Sequence, residues 1–276
     1  MKTIIVQYDI KWGDPKANTA RLSQMIDKAV QEENAQTDLI VLPEMFSTGF
    51  ATEPEGIAEV LKDNGSTCES LEWMKSQATL YNCAIAGSIA VNDHKTNRYF
   101  NRFYFVKPGG EVTFYNKHHL FTYGGEDKRF TPGEERVVVP WRGVNILLQV
   151  CYDLRFPVFA RNRLMNDGKP EYDVILYVAS WPVSRVGAWN TLLKARAIEN
   201  QCFVIGVNRV GSDPACIYPG ASAVIDPYGN VLKSCETVSN TAKNAEKLVS
   251  ANIDMDVLAA FRAKFPVLKD ADNELK

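Results

Sequence analysis

Several short runs of this chain are apolar almost from end to end. They are residues 3–8, 38–42 (Asp-Leu-Ile-Val-Leu), 144–150 (Val-Asn-Ile-Leu-Leu-Gln-Val), 173–179 (Asp-Val-Ile-Leu-Tyr-Val-Ala) and 202–208 (Cys-Phe-Val-Ile-Gly-Val-Asn). A strand with one wet face alternates apolar and polar residues. A strand covered on both faces does not, and these runs have the length of strands rather than helices. Between them lie segments of helical period. Asp14-Pro15 reads as a helix cap and first turn. Ala17, Leu22, Met25, Ile26 and Ala29 then recur on one face. Residues 68–81 and 187–200 are further helices. Strand–helix–strand thus occurs in two blocks, residues 3–42 and 144–208, which predicts an α/β fold with helices outside a mixed sheet.

The remaining segments fill in that plan. Residues 83–91 and 100–106 read as strands, and Pro108-Gly109-Gly110 turns the chain back into a hairpin partner at 111–115. Residues 117–135 have little periodicity and read as a long loop, a length often tied to function. A helix is expected over 156–165, a hairpin around Asp226-Pro227-Tyr228-Gly229, a last strand at 251–255 and a terminal helix at 256–264. No linker or low-complexity segment divides the chain, so residues 1–276 are expected to form one domain.

Charge and composition exclude several classes. Against 31 basic residues stand 33 acidic ones, and no basic tract occurs, so neither nucleic acid nor an anionic membrane is an expected partner. No apolar stretch approaches the roughly 18 residues of a membrane span. The N-terminal apolar run is cut short by Asp9 and does not read as a secretion signal, so the expected location is cytoplasmic. None of the six cysteines forms a Cys-x-x-Cys pair, and reduced thiols are expected. The three histidines, His94, His118 and His119, have no metal-ligand spacing, so no metal and no cofactor are expected.

Three residues with chemical potential stand at the ends of predicted strands. Glu44 follows Leu42-Pro43, Lys117 follows the hairpin, and Cys151 lies between a strand and the next helix. Ligands of open α/β sheets bind beyond the carboxyl ends of strands. A nucleophile on such a turn is exposed beside free backbone N–H groups. Cys83 and Cys202 also border apolar strands, so position alone does not single out one cysteine.

Taken in order, the segments Leu42-Pro43-Glu44, Tyr115-Asn116-Lys117-His118-His119-Leu120, Cys151-Tyr152-Asp153-Leu154-Arg155-Phe156-Pro157, Ser180-Trp181-Pro182 and Ala195-Arg196-Ala197-Ile198-Glu199-Asn200-Gln201 resemble the signature of the nitrilase superfamily of carbon–nitrogen hydrolases. Within it, the runs from Ser180 onward, with Asn208-Arg209-Val210-Gly211, are most similar to bacterial omega-amidases. The resemblance implies a four-layer α-β-β-α sandwich built from two pseudo-symmetric halves. It implies Cys151 as nucleophile, Glu44 as its base and Lys117 as oxyanion partner with the Tyr152 backbone N–H. Glu126, six positions before Pro132, resembles the family's second glutamate, which holds the lysine.

Trp181, Phe46 and Phe121 are expected to wall the pocket. Arg185 is the expected cation for a substrate carboxylate. Arg155 is expected in a structural ion pair with Asp153 or Glu199, and His118 and His119 are read as structural. The implied reaction is hydrolysis of a terminal amide, on 2-oxoglutaramate or 2-oxosuccinamate, with a small-molecule amide as substrate. Other superfamily activities (nitrilase, carbamoyl-amine hydrolase, deaminated-glutathione amidase) and a silent binding module remain alternatives. A homo-oligomer, dimer or larger, is expected, with Val257, Leu258, Phe261, Phe265 and Val267 as candidate surface.

Overall fold

The computed structural model describes residues 1–33, 36–62, 67–235 and 246–272. Its first half contains β1 (Lys2–Gln7), α1 (Pro15–Glu32), β2 (Leu39–Val41), β3 (Glu59–Val60), α2 (Glu69–Tyr81), β4 (Ala84–Asp93), β5 (Arg98–Val106) and β6 (Val112–Asn116). The second contains β7 (Val138–Trp141), β8 (Val144–Val150), α3 (Pro157–Ala160), β9 (Val174–Ala179), α4 (Val186–Asn200), β10 (Phe203–Asn208), β11 (Val210–Ser212), β12 (Ile217–Pro219), β13 (Ala223–Ile225), β14 (Val231–Ser234), β15 (Lys247–Asn252) and α5 (Met255–Lys264).

Two sheets carry the molecule. One has the order β15-β1-β2-β4-β5-β6, with β3 on the side of β4; the other runs β14-β13-β10-β9-β8-β7. In each, three strands are parallel: β1, β2 and β4 in the first, β8, β9 and β10 in the second. In each, two antiparallel strands follow on one side, β5 and β6 or β13 and β14. An antiparallel edge strand closes the other side, β15 on β1 and β7 on β8. The same order in both sheets is the two-half arrangement the sequence resemblance implied.

Side-chain alternation explains why the strands are apolar throughout. Ile5, Leu39 and Val41 face the second sheet and meet Val174, Leu176 and Val178 in one core. Their neighbours Ile4, Val6, Ile40 and Leu42 face the other way, under Leu22 and Ile26 of α1 and Leu71 and Met74 of α2. On the far side Ile175, Tyr177 and Val204 pack under Trp189 and Leu193 of α4. Gly206 of β10 permits this approach, since a Cβ there would stand 2.6 Å from Leu193 Cδ1. The four layers are α, β, β, α, as expected. The α1 cap is also as expected: the Asp14 side chain accepts from Ala17 N.

The structure corrects some elements. The helix expected over 156–165 is only the single turn of α3, preceded by a 3-10 turn at Cys151–Arg155. Asn162 ends it, because its side chain bonds Tyr172 O and Asn200 O while its N–H donates to Asn200 Oδ1. These long-range bonds outcompete continuation of the helix. The last strand lies at Lys247–Asn252, earlier than expected, paired with β1. Strand β7 was not anticipated; Pro140 obscures it, and Pro is tolerated there because β7 is an edge. The long loop 117–135 holds two 3-10 turns, Thr122–Gly124 and Glu126–Lys128.

Candidate active site

Four chain segments deliver polar side chains to one point between the sheets. Glu44 leaves β2 through Pro43, and the chain turns sharply at Met45, whose φ is 44°. Ser88 of β4 holds that turn, its Oγ accepting from Met45 N at 2.9 Å and its carbonyl accepting from Phe46 N at 3.1 Å. Lys117 follows β6 directly and donates its N–H to Asn101 O on β5 at 2.9 Å. Gly133 packs against this stretch; a Cβ there would meet Asn116 O at 2.1 Å, so no other residue fits. Its N–H donates to Lys117 O at 2.9 Å.

Glu44, Lys117 and Glu126 are all fully buried. Lys117 Nζ donates to Glu44 Oε1 at 3.1 Å and to both Glu126 oxygens at 3.1 and 2.8 Å. Glu126 Oε2 also accepts from Phe121 N at 2.7 Å. Glu44 Oε2 accepts from Ser180 N at 2.8 Å, which links the end of β2 to the end of β9 in the other sheet. Burial alone lowers the Lys117 pKa, but Glu126 and Glu44 outweigh it, so the ammonium is held charged with its pKa raised. Burial raises the Glu126 pKa against the pull of Lys117, and Glu44 adds to the rise.

Cys151 sits where β8 ends, partly exposed, with a φ of 45°. A non-glycine residue in this left-handed region is strained, and such strain is common at functional turns. The Glu44 carboxylate acts on its thiol electrostatically, as does the Lys117 ammonium. Burial and Glu44 push the thiol pKa well up, and Lys117 opposes them. Its surroundings therefore favour the thiol over the thiolate.

A third carboxylate, Asp153, ties the turn at Cys151 to the lysine segment. It is fully buried and accepts from Val150 N, Tyr115 Oη, His119 N and His119 Nδ1, all within 2.8–2.9 Å. His119 stacks on Phe156 and His118 on Phe159. Both histidines thus brace the backbone, as their structural reading expected. The sequence reading named Asp153 only as a partner for Arg155 and missed this joint, although Asp153 sits two residues after Cys151.

A solvent-open cleft of about 420 Å³ leads to Cys151. Phe121, Trp181 and Arg185 line it, as expected, together with Phe50, Tyr152 and Arg155. Ser180, Pro182, Cys216 and Tyr218 complete the wall. Asn208 fixes Trp181, accepting from its N–H at 2.7 Å and donating to its carbonyl at 3.0 Å. Two expectations are corrected. Phe46 does not wall the cleft; the turn after β2 sends it into the outer core under α2, where it packs on Trp73 at 5.6 Å. Phe50 takes the place expected for it. Arg155 forms neither expected ion pair: Arg196 pairs with Glu199, Asp153 is occupied as above, and the Arg155 guanidinium lies 5.0 Å over the Trp181 ring. Arg185 lies 5.3 Å over Phe121. Two guanidiniums therefore face an aromatic cleft. Among the described residues no group of three or more His, Cys, Asp or Glu is arranged to hold a metal ion.

Comparison with known proteins agrees with this geometry. The sequence profile of the family described as carbon-nitrogen hydrolase matches residues 3–263. The omega-amidase YafV of Escherichia coli K12 is 41% identical over 273 residues, covering 99% of this chain and 97% of that protein. A 2-oxoglutaramate amidase of Bacillus subtilis is 34% identical over 272 residues, covering 98% and 97%. Among solved structures, XC1258 of Xanthomonas campestris, a CN-hydrolase superfamily protein with an arsenic adduct in its active site, superposes with a TM-score of 0.89 at 38% identity, covering 100% of this chain and 98% of its own. Saccharomyces cerevisiae Nit3 shares the fold, with a TM-score of 0.84 at 23% identity, covering 100% and 97%. With a profile match along nearly its whole length and relatives this similar from end to end, the chain belongs to the carbon-nitrogen hydrolase family.

Proposed function

We propose that this protein is an omega-amidase that hydrolyses the terminal amide of a small 2-oxo acid amide, 2-oxoglutaramate or 2-oxosuccinamate, to the 2-oxo acid and ammonia. The observation that carries the reading is the placement of Glu44, which accepts from the Lys117 ammonium and acts electrostatically on the Cys151 thiol, beside a cleft bearing two arginines. In this reading Glu44 takes the Cys151 proton and the sulfur attacks the amide carbon. Charge builds on the amide oxygen, stabilised by Lys117 and the Tyr152 N–H. The C–N bond breaks as Glu44 returns its proton to the leaving ammonia, and a thioester remains. Glu44 then takes a proton from water, which attacks the thioester, and the thiol recovers that proton as the acid leaves. Glu126 keeps Lys117 in place throughout.

The substrate carboxylate meets a guanidinium, because a charge leaving water needs a charged partner. Arg155 and Arg185 supply it. The same reading treats residues 1–276 as one catalytic domain in a reducing compartment such as the cytoplasm, in keeping with six free cysteines. It also takes the active form to be a homo-oligomer. Ile198 of α4, Tyr228 and Phe265 after α5 are exposed apolar side chains, and Tyr228 and Phe265 both pack on Phe261, which makes one surface suited to a second copy. Ammonia release from 2-oxoglutaramate and 2-oxosuccinamate, measured for wild type and Cys151→Ala, tests the function. Release by wild type and none by the variant is expected. A wild type inert on both compounds would refute the substrate assignment.

A further inference from the structure

We propose that Asn101 is a positioning residue of the hydrolytic site, whose carboxamide holds Glu44 and Glu126 side by side while its backbone carbonyl anchors Lys117. Asn101 lies on β5 opposite Ala90 of β4, fully buried. Asparagine is a poor strand residue, so neither propensity nor core packing accounts for it here. Its Nδ2 donates to Glu44 Oε1 at 2.8 Å and to Glu126 Oε1 at 3.1 Å. Its backbone oxygen accepts from Lys117 N at 2.9 Å. One residue therefore touches both buried glutamates and the backbone of the lysine between them.

The orientation of the carboxamide follows from chemistry. Ionised carboxylates only accept, so the NH2 group must face the two glutamates. The consequence is a cost: Asn101 Oδ1 is buried and has no hydrogen-bond partner among the described residues. A buried polar atom left in this state calls for a reason, and the two glutamates give one. Lys117 carries one positive charge against two carboxylates. A second cation would tie up Glu44 as a fixed ion pair, and a carboxylate in place of the amide would add repulsion. An amide supplies two N–H groups and no charge, which favours the ionised glutamates and leaves Glu44 free to accept a proton.

The inference rests on the roles of Glu44 and Cys151 and not on the choice of amide. The test is the pH dependence of kcat/KM on 2-oxoglutaramate and, in parallel, of Cys151 alkylation by iodoacetamide, for wild type, Asn101→Ala and Asn101→Ser. Loss of the amide makes the glutamate pair hold protons to higher pH, a titration that belongs to the pair. The acid limb is expected to move up by about one pH unit in the alanine variant, with kcat down by roughly tenfold. The serine variant, which returns one donor, should fall between alanine and wild type. It also leaves the smaller gap, and it decides the matter if the alanine variant does not fold. A uniform loss of rate with the acid limb unmoved would mark Asn101 as structural only and overturn the proposal, as would no change at all. If wild type leaves 2-oxoglutaramate untouched, the alkylation profile still gives the answer, so failure of the substrate assignment is distinguishable from failure of this one.

Discussion

Arg155 shows how one side chain changes meaning once its surroundings are known. It follows Cys151 by four residues and lies over the Trp181 ring inside the cleft. A guanidinium on an aromatic face, with no carboxylate beside it, keeps its donors for a ligand. Arg185 is less free, since both Phe121 and Tyr123 hold its guanidinium. Arg155→Met is therefore expected to raise KM for 2-oxoglutaramate by roughly 10–100-fold, the worth of one or two charge-assisted hydrogen bonds, with a smaller effect from Arg185→Met. Steady-state kinetics on both variants, with a neutral aliphatic amide as control, would check it. Equal losses on charged and neutral amides would show that Arg155 supports the cleft rather than the carboxylate.

At the scale of elements, the site depends on separate segments held in register. The nucleophile turn, the lysine segment and the loop around Glu126 share no regular hydrogen-bond ladder. Asp153 supplies a joint between the first two through four donors. Asp153→Ala leaves those donors unpaired in or near the interior, and destabilisation of about 3 kcal/mol is expected. That corresponds to a fall in Tm of roughly 6–12 °C for a chain of this size. Thermal unfolding with activity measured alongside would test the joint; a variant that melts like wild type at full kcat would remove it. The expected helix at 156–165 failed at this same scale. Its composition permits a helix, but Asn162 finds better partners across the fold in Tyr172 and Asn200.

Across the whole molecule, the two sheets repeat one strand order, and the site forms where they meet. Ser180 N reaching Glu44 Oε2 joins the halves at the reaction centre. Arg209 joins them again at the rim, donating to Asp9 Oδ1 and Ile10 O at 3.2 and 3.0 Å from its place after β10. The outer helix α4 and the segment after α5 leave Ile198 and Phe265 53% and 59% exposed. Light scattering at micromolar concentration is expected to give a mass of at least two subunits, and Ile198→Asp to lower it toward one. A monomeric wild type would overturn the oligomer.

The sequence by itself determined that the strands are covered on both faces with helices outside, while the four-layer order came from the family resemblance. Runs apolar throughout can be satisfied only between two covers, and helical periods between them supply the outer ones. It also singled out Glu44, Lys117, Cys151 and Glu126 as candidates, because the motifs that resemble the family's are written in contiguous residues. Only the tertiary structure decided which side chains face the cleft. Phe46 and Phe50 stand four residues apart, yet one is buried under α2 and the other faces the substrate space, and no local pattern separates them. Asn101 and Asp153 gain their meaning from partners 25 to 57 residues away, so nothing beside them in the chain signals it. The physical reason is one of range: burial and period are set by neighbours along the chain, whereas hydrogen-bond partners and the direction of a side chain are set by neighbours in space.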